Sequence, residues 1–174
     1  MVGAIDNTPT NKNFLSPLGF KFIIKKAPHV NFFAQQVNIP SIVLQSPEPN
    51  NPFVKAPIPG EHLTFGELKV SFAVDEDLQN YLEIHNWIKG LGKPENFNQF
   101  AVLEDQPKWT GDGIYSDISV VILSSTKMAN FEITYVDCFP VAISDLIFNT
   151  VDENVNYITA SATFKYTYYS ITNI

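Results

Sequence analysis

Three histidines, one cysteine and a few paired carboxylates are the residues of this 174-residue chain whose types could carry chemistry. His29, His62 and His85 stand far apart, in a turn, a proline-rich loop and a helical stripe. A metal site needs ligands at short fixed spacing, and neither HxH nor HExxH occurs. His85 on an apolar stripe reads more simply as a partly buried structural histidine. Cys138 is the single cysteine, so neither an intrachain disulfide nor a multi-thiolate site is possible. With no base beside it in sequence, it reads as a buried, inert thiol. Asp75 and Asp77 could do acid–base work, but at the start of a helical pattern capping explains them better. Glu104-Asp105 and Asp152-Glu153 read as solvated loop charges. No GxSxG, Walker-type loop or dinucleotide fingerprint is present, and Gly111-Asp112-Gly113 makes turns rather than a phosphate cradle. Trp87 and Trp109 read as packing anchors. No catalytic, cofactor-binding or metal residue is assigned.

The elements that would position such residues are mostly strands. Leu68, Val70, Phe72 and Val74 alternate with Lys69, Ser71 and Ala73, the period of a strand with one buried face. At Asp75 the period changes, and Leu78, Tyr81, Leu82, His85, Ile88 and Leu91 recur at helical spacing. Asp75, Glu76 and Asp77 suit the helix start, and Lys89 with Gly90 suits its end. This is the one substantial helix expected. Its stripe Leu78, Tyr81, Leu82, His85 and Ile88 should cover the sheet, leaving Ile84 and Trp87 for an adjacent subunit or an enclosing sheath.

Around that unit the chain reads as β. Residues 1–13 are small and polar, a flexible arm ahead of one domain spanning 14–174. Leu18, Phe20, Phe22 and Ile24 make a first strand, Val30 to Asn38 a second, and residues 41–46 a short third. Residues 47–62 hold Pro47, Pro49, Pro52, Pro57 and Pro59, which exclude helix and central strand and leave a stiff loop. Loops of that length are uncommon inside compact domains and are usually functional or partner-facing. A second irregular insertion covers 93–115, with a short helical turn in 95–104. Ile118, Val120 and Ile122 begin a hairpin that returns through Phe131, Ile133 and Tyr135 to Cys138-Phe139-Pro140. Asp145 to Val151 makes another strand around Leu146 and Phe148. One long strand then runs from Tyr157 to Ile171, with Ile158, Ala160, Ala162, Phe164, Tyr166 and Tyr168 on one face and Thr159, Ser161, Thr163, Lys165, Thr167 and Tyr169 on the other.

The totals fit a globular chain that buries part of its surface against other protein. Hydrophobic residues make up 45% and charged residues only 17%, with 14 Phe and 7 Tyr. That much aromatic strand would risk exposed edges and patches as a lone monomer. A net charge of −7 argues against a protein that grips nucleic acid, which would carry a basic stripe. No run is long and apolar enough to span a membrane, so a soluble protein is expected.

In this order the elements resemble the tail tube family of contractile-tailed bacteriophages and the tube proteins of related contractile injection systems. The likeness rests on the strand pair GFKFIIKK and VNFFAQQVNIPSI, the strand–helix unit VSFAVDEDLQNYLEIHNWIKGLG, the run FEITYVDCFPVAISDLIFNTVDENVN and the closing ITASATFKYTYYSI. It covers roughly residues 14–171, with Pro140 and the Leu146/Phe148 pair in the family's turn and strand. The segments 47–60 and 93–115 depart from the plain tube pattern.

The resemblance implies a mainly β fold with one flanking helix, an antiparallel β-sandwich or barrel that assembles into a hexameric ring. It implies a structural virion protein and not an enzyme, made in the host cytoplasm and placed in the tail. Rings would stack into a tube beside sheath and baseplate proteins, and genomic DNA would pass through without specific binding, with no cofactor and no membrane. Two alternatives stand beside it: a tube-initiator or terminator ring, and a monomeric β-sandwich that binds a ligand through Trp109, Tyr115 and Trp87. For the ring, Thr159, Ser161, Thr163 and Thr167 are expected on the channel wall, with Lys69 and Lys165 off it or paired with acids. Pro47, Pro49, Pro52, Pro57, Ile84 and Trp87 are expected at subunit interfaces.

Overall fold

The computed structural model describes residues 13–15, 17–50, 53–55, 57–93, 97–104, 113–150 and 157–174. Its elements are β1 (Phe20–Ile24), α1 (Pro28–Phe33), β2 (Ala34–Val37), β3 (Ile42–Leu44), β4 (Leu63–Phe65), β5 (Leu68–Ala73), α2 (Gln79–Gly92), α3 (Asn98–Glu104), β6 (Ser116–Leu123), β7 (Ala129–Ile143), β8 (Thr159–Lys165) and β9 (Tyr168–Asn173). The architecture is mainly antiparallel β with a few helices. Strands follow one another as β1-β6-β7-β8-β5-β2, with β9 also on β7, while β3 and β4 pair with each other. Among the described residues the sheet does not close into a barrel, because β1 and β2 end the path. The expected arm at 1–13, Trp109, the 151–156 turn, Pro52 and the side chains of both loop carboxylate pairs lie outside the described residues, save for Asn13 itself.

Period-2 alternation decides what each strand buries. Leu68, Val70 and Phe72 of β5 and Ala160, Ala162 and Phe164 of β8 turn inward, as do Ile118 and Val120 of β6 and Ile133 and Tyr135 of β7. The small Ala160 and Ala162 sit opposite Phe72 and Val70 in register, so large and small side chains interleave.

Helical content exceeds the single helix expected from the sequence. Val30 to Phe33, expected as strand, makes up the last four of the six residues of α1. Pro28 opens that helix with a preset φ. Asn31 then ties it back to β1, accepting from the Ile24 N–H (2.8 Å) and donating to the Ile24 carbonyl (3.2 Å). These tertiary bonds override the β preference of Val30 and Phe33. The expected turn in 95–104 is α3.

The long helix is present but rotated and differently capped. Asp75, Glu76 and Asp77 make no cap; Leu78 occupies the N-cap in a left-handed conformation. The link from strand to helix is held by buried Asn80, which donates to the Ala73 carbonyl (2.8 Å) and accepts from the Asp75 N–H (3.3 Å). At the other end α2 runs past Gly90, and Lys93 is the left-handed cap, its N–H on the Lys89 carbonyl at 3.0 Å. Gly90 is buried instead, and a Cβ there would come within 2.5 Å of Leu103 in α3.

The closing strand is two strands, and its partner is longer than expected. β7 continues through Pro140 to Ile143, with a register shift between Pro140 and Ala142 that accommodates the proline. Its first half pairs with β6 and β9, its second half with β8. Both sides of this ribbon break at the same level, where Asp137 takes φ 56° and Thr167 bends between β8 and β9. The strand expected at Asp145–Val151 does not form over 145–150, where Ile147 and Phe148 are exposed.

Candidate assembly surfaces

Two surfaces of the described residues are unlike the rest. The first is the outer face of the β5–β8 pair. Thr159 is exposed and Ser161 and Thr163 are half-buried, while their in-register partners on β5 are Ala73, Ser71 and Lys69. The hydroxyl row expected there therefore exists for three of its four members and looks outward. Thr167 does not join it. The kink slips the alternation by one residue, so Tyr169 joins Tyr166 against the core and Tyr168 is exposed. Lys69 and Lys165 stand on the same face and are exposed. Neither takes part in the ion pairs found among the described residues, so the expected pairing with acids is not seen.

The second surface is a hairpin arm built from β3, β4 and the proline loop between them. Gln45 N–H donates to His62 O (3.5 Å), Ile58 N–H to Pro47 O (3.2 Å) and Ser46 Oγ to Ile58 O (2.8 Å), which zips the base of the loop. Glu48 and Lys55 pair across it at 3.4 Å. Pro47, Pro49 and Pro57 are exposed on this arm. So are Ile42, Val43, Leu44, Phe53, Val54 and Leu63, each at least 48% accessible. A run of aliphatic side chains open to water on a two-stranded ribbon marks an interaction surface. The sequence pattern singles out the prolines and not these apolar residues, whose one local signal is the Ile42-Val43-Leu44 run after Pro40.

Ile84 and Trp87, expected at a subunit interface, lie in the chain's own core at 0% and 2% exposure. Trp87 packs on Phe164 (6.2 Å between ring centres), donates Nε1–H to Ile114 O (2.9 Å) and lies under the Lys26 ammonium at 5.2 Å. A side chain so enclosed has no surface left for a neighbour. Of the stripe expected to point in, Tyr81 and Ile88 do pack on the core, while Leu82 is 45% exposed and His85 is exposed, stacked on Tyr81. Helical spacing places a stripe without saying which of two apolar stripes meets the sheet.

The reactive side chains are not brought together. His29 pairs with Glu83, whose carboxylate takes both the ring Nδ1 (2.5 Å) and the backbone N–H (3.2 Å) at the start of α1. His62 lies on the arm and His85 on α2. Burial pushes the Cys138 thiol up to about 12, so it stays protonated at neutral pH. Among the described residues no group of three His, Cys, Asp or Glu is placed to hold a metal, and no helix is long and apolar enough to cross a membrane.

This arrangement, a mainly antiparallel β fold with a few helices, is shared by solved structures. The fold resembles a chain of an extracellular contractile injection system, the PVC sheath–tube complex in its extended state (TM-score 0.63, 10% identity, 97% of this chain and 100% of that one). It also resembles a chain of the anti-feeding prophage tube-terminating cap (0.62, 11%, 100% of both chains) and a type six secretion system protein (0.51, 6%, 88% and 82%). No curated protein sequence matches the chain. Residues 4–172 match the family described as phage tail tube protein, and the chain belongs to that family. Its fold and family are those of structural tube proteins rather than enzymes.

Proposed function

We propose that the chain forms hexameric rings that stack into the tail tube of a contractile-tailed phage or a related injection machine. Each ring is assembled in the host cytoplasm and becomes part of the virion tail, with sheath outside and baseplate below. The observation that carries this reading is the two-sidedness of the β5–β8 pair: Ala160, Ala162 and Phe164 pack inward, while Thr159, Ser161 and Thr163 face out. A wall of hydroxyls is what a passing duplex can touch without sticking, since lasting affinity comes from cations that displace counterions. Lys69 and Lys165 are exposed on the same face and would add phosphate affinity there, so in a non-adhesive wall each pairs with an acid of a neighbouring copy. Open sheet ends at β1 and β2 leave edges that a ring of copies would cover. The arm, with Pro47, Pro49 and Pro57 and its aliphatic residues, reaches a neighbouring copy, and Pro52 within the same loop belongs to that contact.

A ring that starts or ends the tube is the second reading, favoured by the likeness to a tube-terminating cap. Negative-stain imaging and mass measurement of the purified protein test both. Extended tubes of stacked rings support the repeating subunit, and single six-fold rings that do not stack support an initiator or terminator. Compact monomers at every concentration overturn the assembly reading and favour a ligand-binding module.

A further inference from the structure

The arm joins the rest of the chain through two short stretches, Pro40–Ser41 before β3 and Gly66–Glu67 after β4. Gly66 N–H donates to Ser41 O (2.9 Å) and closes the root. Beyond it, among the described residues, β3 and β4 pair only with each other. Asn38 adds bonds to Glu67 and Lys69 at that root, but beyond it a lone two-stranded ribbon is marginal by itself.

The last strand braces it. Tyr169 of β9 donates its hydroxyl to Pro40 O at 3.2 Å, a bond across 129 residues of sequence. The Phe65 ring, at the end of β4, sits 5.7 Å from the Tyr169 ring and 6.0 Å from that of Tyr166. Those two tyrosines rest on Tyr135, with centroids 5.4 and 5.0 Å away, and Tyr135 is fully buried in β7. The nest is therefore continuous with the core. The Tyr135 and Tyr166 hydroxyls find no hydrogen-bond partner among the described residues, so of the three it is Tyr169 that reaches the arm.

We infer that Tyr166 and Tyr169 form a clamp that holds the arm in one direction, through Phe65 on one strand and Pro40 before the other. This rests on reading the arm as the contact between copies. Its use is pre-organisation: an arm already aimed at its neighbour loses less freedom on docking, so rings form at lower concentration. Tyr166 and Tyr169 are positioning residues here, since they act on the neighbour through the arm.

The test uses the full chain with nitroxide labels at Lys55→Cys on the arm and Ser125→Cys on the body. Cys138 is buried and protonated, so it does not compete for the label. Electron–electron distance measurements are made below the assembly concentration, with and without Tyr169→Phe or Phe65→Ala. The expected result is a narrow distribution that broadens in both variants. The light-scattering threshold for assembly should also rise about fivefold or more, while the melting temperature of Tyr169→Phe changes little. A distribution already broad without the substitutions, or unchanged by both, overturns the clamp. So does broadening with an unmoved threshold. If the unsubstituted protein never assembles, the tube reading fails, and the distance distributions still decide the clamp.

Discussion

Thr167 donates its hydroxyl to the Asp137 carboxylate over 3.4 Å, where the two longest stretches of strand break together. The Thr167 N–H meets the Val136 carbonyl at 3.0 Å in the same place. One stretch is β7 and the other is β8 followed by β9. Asp137 takes the left-handed φ, and the chain opposite bends. The kink allows one strand to serve β6 and β9 with its first half and β8 with its second. It also removes Thr167 from the hydroxyl row.

Substitutions at this kink should separate backbone from side chain. Asp137→Gly removes the left-handed penalty of a residue with a Cβ and should be neutral or stabilise by up to about 1 kcal/mol. Asp137→Val should destabilise by roughly 1–3 kcal/mol, because a β-branched residue resists that φ. Urea titrations of both proteins check this; equal stabilities would mean that the strain is not held there.

Truncating the inner face of α2 should unfold the subunit rather than only disperse rings. Trp87→Ala should cost about 3–5 kcal/mol and Ile84→Ala about 2–5 kcal/mol of folding stability. Leu82→Ala, at a position 45% exposed, should cost less than about 1 kcal/mol. Thermal melts beside sedimentation profiles discriminate, and a stable Trp87→Ala monomer would contradict the burial.

The arm should tolerate change internally only where its strands leave room. A Cβ at Gly60 would run into the Gln45 carbonyl oxygen, so Gly60→Ala should force the base of the loop apart. Deleting residues 48–58 should leave the body folded. Both changes should impair assembly with little loss of cooperative unfolding, measured by circular dichroism and light scattering. Equal loss of folding and assembly would place the loop in the core.

The His29–Glu83 pair gives stability a pH dependence of definite sign. The hydrogen bond that His29 donates to the Glu83 carboxylate, and that carboxylate's charge, raise His29 above its ordinary value of 6.5. A group raised on folding stabilises fully below its unfolded value and loses that contribution as pH rises through the folded one. The melting temperature should therefore exceed that of Glu83→Gln most at about pH 6, with the gap shrinking towards pH 8. A gap that widens with pH would exclude the pairing. The site is exposed, so high salt should narrow the gap as well.

Removing the Tyr135 hydroxyl should not harm the fold. That oxygen is buried without a partner among the described residues, and burial pushes its pKa well above the ordinary range. Tyr135→Phe keeps the ring contacts with Tyr166 and Tyr169, and should be neutral or stabilise by about 1 kcal/mol. Calorimetry checks the direction, and a loss of more than about 2 kcal/mol would show that the hydroxyl is bonded.

Alternation along one strand is a local property, and the sequence carried it wherever the strand runs unbroken. Leu68, Val70 and Phe72, Ile118 and Val120, and Ala160, Ala162 and Phe164 were legible as buried rows, because a pleat sends successive side chains to opposite faces whatever lies around it. The order of those rows carried the family.

Three things were decided only by tertiary contact. Which stripe of α2 turns inward depended on how Asn80 fastens the helix start to Ala73 and Asp75, and on the space above Phe164 that Trp87 fills. Val30 to Phe33 became helix because Asn31 holds it to Ile24 and Glu83 meets its first turn. The long closing strand broke at Thr167 because its partner had to bend at Asp137. Periodicity fixes the phase of side chains within an element, but the phase between elements is set where they touch.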